Sequence, residues 1–131
     1  MQPTALARLL AMGMTRIAAR VNTTVRRTSM IFETLYDSAQ RGELLLIDGG
    51  FCHWHLRRDG QLTIREIIST RRGAGSEMLD VLKRTPGAAS LFAKCPADLP
   101  ANDWYARRGF VCEGEEVTRT GRRLKLWRLR L

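Results

Sequence analysis

At 131 residues and 44% apolar composition, the chain has the size of one domain with a buried core, and neither a repeat nor a low-complexity tract divides it. The formal charge of +9 comes mostly from arginine, nineteen against three lysines; it favours polyanionic partners, although an arginine-rich solvated surface gives the same count. Cys52, Cys95 and Cys112 are odd in number and form no Cys-x-x-Cys, which argues against a disulfide framework or zinc site and for reduced thiols in a cytoplasm.

Residues 5 to 14 are apolar, but Arg8 and Arg16 interrupt them and no clean cleavage site follows. Leu6, Leu9, Leu10, Met14, Ile17 and Val21 instead recur at three- and four-residue steps, the stripe of an amphipathic helix. Asn22, Thr23 and Thr24 offer caps for a second helix with Val25, Phe32, Leu35, Tyr36 and Ala39 inward, and Gly42 is its stop. From there the period changes to two. Strands are expected at Leu44–Ile47, Phe51–Leu56 and Gln61–Ser69, separated by Asp48-Gly49-Gly50 and by the hairpin signal Arg58-Asp59-Gly60. After a loop and a helix reaching Lys83, Thr85-Pro86-Gly87 breaks the chain, and Ala88–Cys95 reads as a buried strand parallel to Gln61–Ser69. A two-turn helix over Ala101–Arg108 and a closing hairpin of Phe110–Val117 with Arg122–Arg130 complete the chain, with a phase shift near Trp127 that predicts a bulge. The fold class is therefore α/β, one domain over 1–131, with an antiparallel meander feeding a strand–helix–strand crossover.

The strand ending at Ser69 runs into Thr70-Arg71-Arg72-Gly73-Ala74-Gly75-Ser76 and then into a helix. Glycines at a helix start let backbone N–H groups converge on an anion, and the helix dipole adds about half a positive charge there. Diphosphate is the natural guest. About thirty residues later stand Asn102, Tyr105, Gly109 and Phe110.

On these two blocks the sequence resembles the GCN5-related N-acetyltransferase (GNAT) superfamily, over roughly residues 43 to 130. The resemblance implies a compact GNAT-like mixed sheet and an enzyme that moves an acetyl or related acyl group from acyl-CoA to an acceptor amine by direct attack. It implies acetyl-CoA or a related acyl-CoA held by Ile67, Ile68, Arg71, Arg72, Gly73, Ala74, Gly75, Ser76 and Asn102. Thr70 stands where the family has Arg or Gln, so Arg71 and Arg72 are the substitutes, and a backbone N–H at Ile67 or Ile68 would polarise the thioester carbonyl. Tyr105 occupies the position whose hydroxyl donates a proton to the departing sulfur. A non-catalytic binding module on the same fold is the alternative that Thr70 suggests, and exposed hairpin edges make a homodimer an expectation.

Acyl transfer needs a base for the amine, and Glu66 is the candidate. If it shares a face with Ile64 and Ile68, burial raises its pKa into a useful range. Cys95 could instead form a covalent acyl intermediate. His53 and His55 share a strand face, but no third ligand supports a metal. Neither a metal nor a membrane partner is expected. Arg119, Arg122, Arg123 and Lys125 crowd the closing hairpin with no acid among them. They make a nucleic acid an alternative acceptor, bound through its phosphates, as in the base-modifying phage Mom-type members of this superfamily.

Overall fold

The structure is a computed structural model that describes residues 32–131. The expected helix over Leu6–Val21 and the start of the second lie outside the described residues. The chain divides into two compact units between Leu46 and Ile47. In chain order the elements are helix α1 (32–40), β1 (Leu44–Ile47), β2 (Gly50–Leu56), β3 (Gln61–Ser69), α2 (Ala74–Lys83), β4 (Ser90–Pro96), α3 (Ala101–Arg107), β5 (Val111–Val117) and β6 (Arg123–Arg130).

In the first unit α1 ends where the sequence predicts. Gly42 takes a φ of 72°, its N–H donates to the Ala39 carbonyl at 3.1 Å, and that of Glu43 reaches back to Ser38 at 2.8 Å. This bond pair closes a helix at a left-handed glycine. Leu35 is buried as expected, but Tyr36 is 53% exposed and Ser38 takes an inner position. The hydroxyl of Ser38 donates to the Thr34 carbonyl at 2.7 Å, which lets a polar residue sit inside.

The strands of the second unit form one open sheet in the order β2-β3-β4-β6-β5. All neighbouring pairs described strand by strand are antiparallel except β3 with β4, the parallel pair that α2 connects. Partners across a ladder share a face. The chain of pairs Trp54↔Ile64, Ile64↔Ala93 and Ala93↔Trp127 thus traces one face across four strands. Both α2 and α3 cover it: a Cβ on Gly50 would stand 2.8 Å from the Met78 methyl, and Tyr105 stacks on Trp127 at 6.4 Å. Leu62, Met78, Leu79, Leu82 and Leu91 are fully buried between sheet and helices, each contributing about 1.5–3 kcal/mol of burial.

Two irregularities set the phase of the outer positions. Between His53 and Trp54 the register skips Arg65, and between Cys112 and Gly114 it skips Glu113, facing Trp127 and Leu126. The second is the bulge that the alternation near Trp127 predicts.

Candidate active site

The parallel ladder of β3 and β4 has four pairs, from Gln61↔Ser90 to Ile64↔Ala93. Beyond them the strands part. β4 stays paired with β6 as far as Pro96↔Leu124, and β3 stays paired with β2 as far as Ser69↔Gly50. The side of β3 over residues 65–69 that would face β4 therefore has no strand partner among the described residues. This open edge carries Ile67, half-buried, and Ile68, 39% exposed, the two residues expected to present an N–H to a carbonyl.

At the end of that edge the chain turns into α2. Gly73 adopts a φ of 86° as the N-cap, with no side chain capping the helix. The N–H groups of Arg72, Gly73, Gly75 and Ser76 donate to no carbonyl among the described residues, whereas that of Ala74 is taken by the Arg71 carbonyl at 3.1 Å. A left-handed residue leading into free first-turn donors is an anion cradle. A Cβ on Gly73 would meet nothing within 4 Å, so the space before the cradle is open; one on Gly75 would stand 2.8 Å from the Trp104 ring. Gly75 is thus required by helix packing as well.

The two arginines divide. Arg71 is already engaged: its Nη2 donates to the Asp48 carbonyl at 3.0 Å and its guanidinium pairs with Glu77 in the first turn of α2. Thr70 is anchored to the same turn, its N–H 2.7 Å and its hydroxyl 3.1 Å from the Gly49 carbonyl. Position 70 therefore locks the loop to the β1–β2 turn. Arg72 is exposed beside the free donors, with no ion pair among the described residues.

Tyr105 projects from α3 onto the same sheet face. It is 6% exposed, and three rings enclose it: Trp104 at 5.1 Å and Phe110 at 5.2 Å edge-on, and Trp127 stacked at 20°. Its hydroxyl bonds no described residue. Burial pushes the phenol well above its ordinary range, and the nearby Cys95 and Cys52 thiols add to the rise. The phenol is thus a proton donor that stays protonated. Cys95 is raised by burial and Asp98 against the opposing pull of Arg122 and Lys125, which disfavours the thiolate that a covalent route needs. Burial alone lifts the Cys52 thiol to about 12.

Asn102 is buried, and its amide is spent within the fold. Nδ2 donates to the Pro96 and Leu99 carbonyls, both at 2.8 Å, and Oδ1 accepts from the Trp127 indole at 2.9 Å.

Glu66 departs from expectation. It is exposed, not buried with Ile64. The physical cause is the skipped Arg65: Ile64 pairs with Trp54 and Glu66 with His53, and since Trp54 and His53 point to opposite faces, so do Ile64 and Glu66. Glu66 lies beside buried His53, on the face away from α2. Among the described residues no three of His, Cys, Asp or Glu gather to hold a metal, and no helix is long and apolar enough to cross a membrane.

The basic hairpin is partly neutralised by acids from the strand before it. Arg123 bonds Glu115 at 2.6 Å and Arg128 bonds Glu113 at 2.7 Å, while Glu116 meets Lys94 of β4, outside the hairpin, at 2.8 Å. Arg122 lies 3.9 Å from Asp98, while Arg119 and Lys125 have no carboxylate partner among the described residues.

No family model matches the sequence, and comparison with curated proteins finds no significant match. Solved structures do match. An acetyltransferase of the GNAT family from Bacillus cereus superposes with a TM-score of 0.64 at 17% identity, over 88% of this chain and 86% of that one. The chain has the GNAT fold. The ribosomal-protein-S18-alanine N-acetyltransferase of Escherichia coli shares it with a TM-score of 0.54 at 21% identity, over 72% of this chain and 74% of that one. An acetyltransferase of Bacillus subtilis solved with CoA shares it with a TM-score of 0.54 at 16% identity, over 63% and 69%. In this GNAT fold the open β3 edge, the N–H cradle and Tyr105 occupy one sheet end. The Trp127–Asn102 pair escapes motif reading, because nothing in the spacing of residues 102 and 127 signals a contact.

Proposed function

We propose that residues 1–131 form one GNAT superfamily domain that transfers an acyl group from acyl-CoA to an amine by direct attack. The observation that carries this reading is the combination of a strand edge and four N–H groups at 72, 73, 75 and 76 that have no partner among the described residues with the hydroxyl of the largely buried Tyr105, which bonds no described residue. The donor set fits a diphosphate, which needs several N–H groups at a helix start. Acyl-CoA, when bound, supplies the activated acyl group. Gly73, Gly75, Ser76 and Arg72 hold its anionic part, and the backbone at Ile67 or Ile68 donates to the acyl carbonyl. Tyr105 is protonated at neutral pH and donates its proton to the departing sulfur. Glu66, exposed beside the open edge, accepts a proton from the acceptor ammonium directly or through water. Arg71 and Asn102 act from within the fold, the first by tying the loop to Asp48 and the second by tying α3 to β4 and β6.

For the acceptor, an amine or peptide N-terminus is favoured over a nucleic acid. Of the four candidates, Arg123 pairs with Glu115 and Arg122 lies near Asp98, which leaves Arg119 and Lys125 without a carboxylate partner among the described residues and weakens the attraction for phosphates. The test is acyl transfer with a panel of amines and N-terminal peptides. Tyr105→Phe should lower turnover by about 10²- to 10⁴-fold and Glu66→Gln by at least about tenfold at neutral pH. Undiminished transfer by Tyr105→Phe would remove the assigned acid, and no transfer to any amine would favour the non-catalytic alternative.

A further inference from the structure

The indole N–H of Trp127 donates 2.9 Å to the Oδ1 of Asn102, on a different element, and both residues are buried. From the same amide, Nδ2 holds the carbonyl of Pro96, where β4 ends beside the open strand edge, and that of Leu99 just before α3. The other side of the indole matters equally: its ring lies parallel to Tyr105 at 6.4 Å and 20°, while Phe110 and Trp104 approach that ring edge-on. One side chain thus fixes the end of β4, the start of α3 and, through Trp127, the ring plane of Tyr105. A buried amide with all its donors used is a rigid joint. A plain apolar pair at 102 and 127 would pack as well without tying these three elements together.

We propose that Asn102 and Trp127 are positioning residues for acyl transfer, a buried polar clamp that aims the Tyr105 hydroxyl at the gap between β3 and β4. This rests on the proposed role of Tyr105 as the acid and adds that the hydroxyl's placement is set by the Trp127–Asn102 hydrogen bond.

A double-mutant cycle separates this from general packing. Trp127→Phe keeps a ring against Tyr105 and removes the N–H. Turnover should fall about tenfold, the order expected when a catalytic group is slightly misplaced, while CoA affinity measured by titration changes less than about twofold. In the Tyr105→Phe background the same exchange should change turnover less than about twofold, because the hydroxyl it positions is already gone. Should Trp127→Phe fail to fold, Asn102→Ser removes the acceptor and leaves the indole in place, and the same cycle applies. Equal losses in both backgrounds would overturn the proposal, since the clamp would then act independently of the hydroxyl. A parent protein without transfer, or one indifferent to Tyr105→Phe, would instead remove the acyl-transfer reading beneath it.

Discussion

Replacing Gly75 by Ala probes the seam between the anion cradle and Tyr105. The new Cβ would stand 2.8 Å from Cζ2 and 3.5 Å from Cε2 of Trp104, closer than carbon atoms tolerate. A retreat of the half-buried indole would disturb its edge-on contact with Tyr105 at 5.1 Å and the Arg108 guanidinium 5.5 Å above its ring. Overpacking of this kind costs about 1–3 kcal/mol, and the better helix propensity of Ala returns at most about 1 kcal/mol. The net loss is about 1–2 kcal/mol, a fall in Tm of about 3–8 °C for a chain of this size. Thermal unfolding followed by circular dichroism reads it directly, and Trp104→Leu in the same chain should recover part of the loss by making room. A Gly75→Ala protein that melts at or above the parent would show that Trp104 is not seated on Gly75, and the packing of α2 on α3 would need a different account.

The buried thiol and phenol make stability sensitive to alkali. In the unfolded chain a thiol loses its proton near its ordinary 9.0, whereas folded Cys52 holds it to about 12. The unfolded state therefore binds fewer protons above pH 9, and the stability present below that pH is lost as pH rises towards 12, by about 1.4 kcal/mol per pH unit for this group. Urea unfolding midpoints on either side of pH 9 should show the decline, with a flatter slope in Cys52→Ala; parallel slopes would contradict burial as its origin. For nucleic acid, anisotropy with a labelled duplex across a salt series should give a shallow dependence, a log–log slope of about −3 or less in magnitude from Arg119, Lys125 and Arg130, the hairpin cations with no ion pair among the described residues. A slope near −6 would return DNA to candidacy as the acceptor.

Much of the architecture is written in local pattern. The switch from helical to alternating period after Gly42, the turn residues at 58–60 and the break at 85–87 each mark boundaries that the elements respect. Turn chemistry is local and survives without knowledge of the rest of the chain. Gly73 is legible for the same reason, since its left-handed φ of 86° is a backbone need at its own position, whereas the need for Gly75 comes from Trp104 on another helix. What the sequence hides is decided across strands. Skipping one residue, Arg65, turns Glu66 to the opposite face from Ile64, and no single strand encodes the register of its partner. Arg71 reads as a phosphate ligand until the β1–β2 turn supplies the Asp48 carbonyl. The acids that neutralise β6 lie in β5, opposite rather than adjacent, so a run of cations without interleaved acids overstates the free charge.

The N–H groups at 72, 73, 75 and 76, which meet no carbonyl among the described residues, are proposed to bind the diphosphate of an acyl-CoA. Isothermal titration of the full chain with CoA and acetyl-CoA measures this without presuming an acceptor. Saturable one-to-one binding is predicted, with Kd between about 1 µM and 1 mM. Gly73→Glu should abolish it, because its carboxylate would enter the open space before the cradle and repel the diphosphate. Absence of binding by the parent, or binding that survives Gly73→Glu, would contradict the account.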